Sequence, residues 1–212
     1  MSEIITSVDQ EILSSCRKGD QEQALRLFVK QYQSRLYALA YKMLGNHDDA
    51  MDAVQEILYQ VNRSLRNFKE KSSLYTWVYR LSSNVCFNFR KKRKQALNQV
   101  TWDDSLRSSV MLSIARPNED PDEMCEAKYR QYLIQQAILK LPESQRMLLI
   151  LHDIEGIPSS DIAQILNINK NAVKSRLHRS RMALRNIISK GFQVKGMEGT
   201  GTFSISSSGQ LL

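Results

Sequence analysis

The chain is poor in the residues that disulfide-held, turn-rich, membrane-spanning or catalytic proteins depend on. Cysteine occurs three times, at Cys16, Cys86 and Cys125. That set is odd, scattered and without metal-ligand spacing, which excludes a disulfide framework or a zinc site and suits a reducing compartment. Histidine also occurs three times, at His47, His152 and His178, again scattered. There is no glycine-rich phosphate loop and no nucleophile motif, so no enzyme, no cofactor and no metal are expected. Asp48, Asp49 and Asp52 stand close enough to hold a cation, but acids in a helix's first turn are explained by the helix dipole. With only 8 glycines and 4 prolines in 212 residues, a mostly helical protein is expected. No apolar run approaches the roughly 20 residues of a membrane span. The first residues, MSEIITSVDQEI, lack a signal-peptide layout, so a cytoplasmic protein is expected.

What the chain has is positive charge. The net charge of +8 favours a polyanionic partner. Asn169 to Ile188, NKNAVKSRLHRSRMALRNII, contains no Asp or Glu and reads as one helix. Val173, Leu177, Leu184 and Ile188 form its apolar stripe, and Lys174, His178, Arg181 and Arg185 a different, basic face. Lys170, Arg176 and Arg179 add charge on the flanks, and Asn169 is the expected N-cap. Ser159 to Leu166 is a short amphipathic helix with Ile162, Ala163 and Leu166 expected inward. Asn167 then supplies the left-handed turn residue. A short helix, a tight turn and a longer basic helix make a helix-turn-helix, whose second helix enters the DNA major groove. That groove is about 12 Å wide and admits a helix. Upstream, Tyr129 to Leu139 and Arg146 to Asp153 supply two further apolar helices around Pro142.

The amino-terminal half is also helical. A first long helix opens at Gly19-Asp20 with Asp20 as cap and closes at Gly45-Asn46, with Ala24, Leu25, Phe28, Tyr32, Leu36, Leu39 and Met43 as its apolar stripe. A second runs from His47-Asp48 to about Asn67, with Ala50, Val54, Ile57, Leu58, Val61 and Leu65 inward and Asp49, Asp52, Gln55 and Glu56 outward. Phe68 to Ser73 is a polar loop, and Ser72 or Ser73 caps a third helix from Leu74. There, aromatics lead into the basic run Arg90-Lys91-Lys92-Arg93-Lys94, a composition suited to single-stranded nucleic acid. Trp77, Val78, Leu81 and Val85 read as core, while Arg80, Asn84 and Asn88 share a polar face.

These segments carry a family resemblance. DDAMDAVQEILYQV followed by FKEKSSLYTWVYRLSSNVCFNFRKKRK resembles region 2 of the extracytoplasmic-function sigma factors. LKLPESQRMLLILHDIEGIPSSDIAQILNINKNAVKSRLHRSRMALR resembles their region 4. The resemblance implies an all-α fold of two small helical domains on a flexible linker: an N-terminal segment 1–18, region 2 over 19–95, a linker over 96–125, region 4 over 126–190 and a Gly/Ser-rich tail 191–212. It implies a bacterial initiation factor that binds the β and β′ subunits of core RNA polymerase and promoter DNA and is held by an anti-sigma factor. Asp52, Gln55 and Glu56 match the polymerase-docking helix. Lys71, Ser72 and Ser73 lie where a base flipped from the −10 element would enter. Arg80, Asn84 and Asn88 would face that strand, and Arg90, Lys91 and Arg93 the upstream phosphates. On the −35 element, Lys174, Ser175, His178 and Arg179 match the family's contacts. Lys170 and Asn171 stand at the start of that helix, and Arg176 and Arg181 are expected on phosphate.

Two other readings fit the residues less well. A helix-turn-helix regulator with a sensing domain would leave the YTWVYRL helix and the acidic turn without purpose. A nucleic-acid enzyme lacks a catalytic motif.

Overall fold

A computed structural model of the chain describes residues 2–99 and 126–193. The chain divides into two units between residues 108 and 109. Most of the expected linker and nearly all of the expected tail lie outside the described residues.

Among its described residues the amino-terminal unit holds four α-helices, α1 (Ser2–Arg17), α2 (Gln21–Leu44), α3 (His47–Ser64) and α4 (Leu74–Gln99). Local chemistry fixes their ends. Asp20 caps α2 by accepting a hydrogen bond from the Gln23 amide at 2.9 Å, satisfying one of the helix's orphan donors. Gly45 ends α2 at φ 87°, its amide returning to the Tyr41 carbonyl, a left-handed stop that glycine adopts without steric cost. Asn46 then caps α3 by accepting from the Asp49 amide at 2.7 Å. The α3 helix closes through a 3₁₀ turn, Leu65–Asn67. Ser73 opens α4 by accepting from the Thr76 amide at 3.1 Å.

The core of this unit is the row Ala24, Phe28, Tyr32, Leu36, Leu39, Ala40 and Met43 on α2, all fully buried. Ala50, Ala53, Ile57 and Val61 of α3 and Val78, Tyr79, Val85 and Cys86 of α4 complete it. Ser82 and Ser83 are buried too, but their hydroxyls donate to the Val78 and Tyr79 carbonyls, so neither hydroxyl is left unmet. Leu25, Leu58, Trp77 and Leu81, expected inward, are only half-buried.

Two differences from the sequence reading matter here. The segment read as 1–18 is the helix α1, packed along α2, with Ile12 fully buried. Its Asp9 accepts a hydrogen bond from the buried Tyr32 hydroxyl at 2.7 Å. And α4 continues to Gln99, so the basic run lies within the helix and residues 96–99 of the expected linker are helical.

The carboxy-terminal unit holds α5 (Glu126–Leu139), α6 (Glu143–Leu149), α7 (Ser159–Ile165) and α8 (Lys170–Gln193). The α6 helix passes directly into a π turn, Ile150–Ile154, closed by the Glu155 amide on the Ile150 carbonyl at 2.9 Å. A widened turn of this kind rotates the side chains that follow it. Arg146, 1% exposed, lies inside this unit. It donates to the carbonyls of Ile138 at 3.1 Å, Leu141 at 3.0 Å and Leu139, and so caps the carboxy end of α5 with a positive charge. In α7 the buried pair is Ile162 and Ile165, while Ala163 and Leu166, expected inward, are half-buried.

A candidate nucleic-acid interface and a docking face

The turn between α7 and α8 is built as the sequence suggests. Asn167 sits at φ 51°, a conformation that asparagine tolerates better than most side chains. Asn169 caps α8 by accepting from the Asn171 amide at 2.8 Å. Val173, Leu177 and Leu184 bury one stripe of α8. Ser180 joins that stripe, its hydroxyl donating to the Arg176 carbonyl at 2.8 Å. With this side turned inward, Lys170, Asn171, Lys174, Ser175, Arg176, His178 and Arg179 are all exposed. No acidic side chain interrupts them along the helix, so the amino-terminal half of α8 is a continuous cationic and amide-bearing surface.

Arg181 is placed differently from the expectation that it holds phosphate. Its guanidinium grips the Asp153 carboxylate at both oxygens, Nε at 2.9 Å and Nη2 on the other. The Asp153 side chain is 5% exposed and lies 2.7 Å from His152 Nδ1. The ion pair pushes the Arg181 pKa up against the smaller effect of its own burial. This arginine therefore fastens α8 to the π turn rather than reaching outward.

In the amino-terminal unit, Arg80, Asn84 and Asn88 are exposed on α4 at four-residue steps, one face of the helix. The loop before α4 begins with Phe68, whose ring meets that of Trp77 at 5.2 Å between centroids. Trp77 thus anchors the loop. Lys71 and Ser73 are exposed and Ser72 is half-exposed, with the Ser73 hydroxyl engaged by Thr76. Further along α4, Lys91, Lys92 and Lys94 are exposed while Arg90 is half-buried. Arg93, expected on phosphate, instead donates to Asp49 at 2.6 Å. That pair ties the basic run to the first turn of α3 and withdraws Asp49 from the acidic face.

On α3, Asp52, Gln55 and Glu56 surround an open depression of about 530 Å³ that Tyr59 and Phe89 complete. Neither aromatic stands among the docking residues expected from the sequence. Tyr59 is 57% exposed and carries the Arg63 guanidinium over its ring at 5.6 Å. Met51, also exposed, extends the apolar surface one turn earlier. The signal available in the sequence was spacing: Met51, Gln55 and Tyr59 recur every four residues beside the acids. Acid around an exposed aromatic suits a partner helix with basic and apolar side chains.

Comparison with known proteins agrees with this architecture. A profile of sigma-70 region 2 matches residues 28–96 and one of sigma-70 region 4 matches residues 131–184. The chain is 31% identical over 174 residues to the ECF RNA polymerase sigma factor SigW of Bacillus subtilis, covering 82% of this chain and 92% of SigW. The chain belongs to the ECF sigma factors. Another relative of this ECF sigma factor is the sigma-E factor of Escherichia coli, 29% identical over 191 residues, 88% of this chain and 96% of that one. The sigma factor RpoE of Bartonella quintana, solved with the anti-sigma factor NepR, shares the fold. It aligns at a TM-score of 0.58 and 22% identity over 80% of this chain and 97% of RpoE. Within this sigma factor, region 2 takes in α3, α4 and most of α2. Region 4 takes in the helix-turn-helix. No helix among the described residues is long and apolar enough to cross a membrane.

Proposed function

We propose that this ECF sigma factor directs core RNA polymerase to promoters by reading a −35 element with α8 and a −10 element with α4 and the loop before it. The observation that carries the reading is the exposed row Lys170, Asn171, Lys174, Ser175, Arg176, His178 and Arg179 on α8. Lys174, Ser175, His178 and Arg179 face the base edges, Lys170 and Asn171 bracket the helix start, and Arg176 holds phosphate. Phosphate contacts supply affinity and register, while base-edge contacts supply sequence. Arg181 positions the helix from behind.

In region 2, Arg80, Asn84 and Asn88 face the opened non-template strand, and Lys71, Ser72 and Ser73 receive a flipped base. Extruding a base costs a few kcal/mol, which stacking and hydrogen bonds at the receiving site offset. Lys91, Lys92 and Lys94 lie on the upstream phosphates, with Arg93 fixing their helix. Asp52, Gln55, Glu56 and Tyr59 dock on the polymerase. The RpoE likeness supports a regulatory partner of the anti-sigma class for this chain as well.

Run-off transcription with purified core polymerase tests the whole reading. Discrete start sites are expected, weakened when either promoter element is scrambled; absence of any promoter-specific transcript would refute it. The double variant Asp52→Ala with Glu56→Ala should compete poorly for core while keeping its helical content.

A further inference from the structure

The helix α1 reaches the loop that the proposed function assigns to the −10 element. Arg17, its last residue, donates from Nε at 3.2 Å and from Nη2 at 2.6 Å to the same oxygen of Glu70. Glu70 lies in the middle of the loop and adopts φ 51°, a left-handed conformation that is sterically unfavourable for a glutamate. A second tie lies beside it. Gln21, just past α1, donates to the carbonyl of Asn62 at 2.8 Å and to its side chain at 3.2 Å, holding the end of α3 from which the loop departs. The loop is thus fixed at its start by Phe68 on Trp77, at its end by Ser73 on Thr76, and at its middle only by Arg17 on Glu70 among the contacts described.

We infer that Arg17 and Glu70 are positioning residues for −10 recognition: α1 acts as a brace that holds Glu70 left-handed and so presents Lys71, Ser72 and Ser73 to the extruded base. Neither residue needs to touch DNA. A receiving site for a flipped base gains discrimination from being formed before the base arrives, because the ordering cost is then not taken out of binding. Both partners are largely exposed, 64% for Arg17 and 47% for Glu70, so the pair adds little to global stability. Its effect falls on the local geometry of the loop.

This inference rests on the loop being the −10 reader, and its test separates the two. The measured quantity is the ratio of open-complex formation on a cognate promoter to that on one with a substituted −10 element, using full-length protein and core polymerase. The ratio cancels any general change in DNA affinity from altered charge. Arg17→Glu and Glu70→Arg are each expected to lower the ratio about threefold to fivefold, the scale of one exposed ion pair, with core affinity and melting temperature unchanged. The double swap Arg17→Glu/Glu70→Arg should restore most of the ratio. Single variants equal to the parent overturn the brace, and so does a double swap that fails to recover, since each residue would then act alone. Lys71→Ala with Ser72→Ala is the control. If that variant also leaves the ratio unchanged, the loop is not the −10 reader and both proposals fall together. If it lowers the ratio while the Arg17 and Glu70 variants do not, only the brace is lost.

Discussion

Arg181 and Asp153 are 28 positions apart in the chain, and their pairing changes the meaning of the basic helix. A carboxylate 5% exposed is paired with a two-pronged guanidinium, and removing one partner of such a pair leaves a buried charge uncompensated. Arg181→Met should therefore destabilise the region 4 unit by about 2–4 kcal/mol, at the lower end because Arg181 itself meets solvent. The slope of promoter affinity against salt should stay as in the parent. Arg176→Ala should do the reverse, flattening that slope by about one counterion with little change in melting. A slope flattened in Arg181→Met as well would return Arg181 to the phosphate-binding set. Asp9 offers a second residue-scale expectation. Burial raises its carboxyl above the ordinary value, and the Tyr32 hydrogen bond and nearby Arg35 only partly oppose this. The folded protein thus holds the Asp9 proton more tightly than the unfolded chain does. The resulting stability is complete below the ordinary carboxylate pKa and is lost as pH rises through the folded value. Asp9→Asn, which keeps an acceptor for Tyr32, should melt higher than the parent at about pH 7, with the gap closing towards about pH 4. A gap independent of pH would mean that Asp9 is not the titrating group.

At the scale of elements, Arg146 decides whether α5 ends properly. Three carbonyls at the turn between α5 and α6 accept hydrogen bonds from one buried guanidinium, and that of Ile138 also accepts from the Leu141 amide at 3.1 Å. Each carbonyl stripped of its donor inside the unit costs about 1–3 kcal/mol. Arg146→Met fills the space and removes the buried charge, so the net loss should be about 2–4 kcal/mol, read as a lower denaturant midpoint for region 4. A midpoint within error of the parent would show that solvent replaces the guanidinium. Neither Arg146 nor α1 was legible in the sequence, for different reasons. Arg146 reads as the polar edge of an apolar helix, and its acceptors are main-chain groups that no residue type announces. The α1 segment, SEIITSVDQEILSSCR, is rich in Ser and β-branched residues that weakly favour helix. Packing on α2, invisible locally, makes it one. The α2 boundaries were legible because Asp20 and Gly45 are themselves the physical stops. The left-handed turn before α8 was legible because Asn167 is one of the few residues suited to it. The exposed α8 row could be read from periodicity, yet the destinations of Arg181 and Arg93 could not, because their carboxylate partners arrive from other helices.

For the molecule as a whole, the proposed division of labour makes a quantitative demand. The residues assigned to the −35 element and those assigned to the −10 element belong to different units of the chain, and among the described contacts they share no partner. In the proposed reading polymerase supplies the distance between them, so each modest contact acts at high effective concentration once the other is made. Losses at sites without shared partners add, within about 0.3–0.5 kcal/mol. On the proposed assignment, Lys174→Ala removes a base-edge contact of about 1–3 kcal/mol, and Asn84→Ala removes an amide from the side of α4 assigned to the strand. On one promoter, the combined variant should lose the sum of the two single losses in open-complex formation. On a template with the −35 element scrambled, Lys174→Ala should cost nothing further while Asn84→Ala keeps its full effect. A combined loss far from the sum, or a Lys174→Ala penalty that survives the scrambled element, would mean that the two faces do not read separate stretches of DNA.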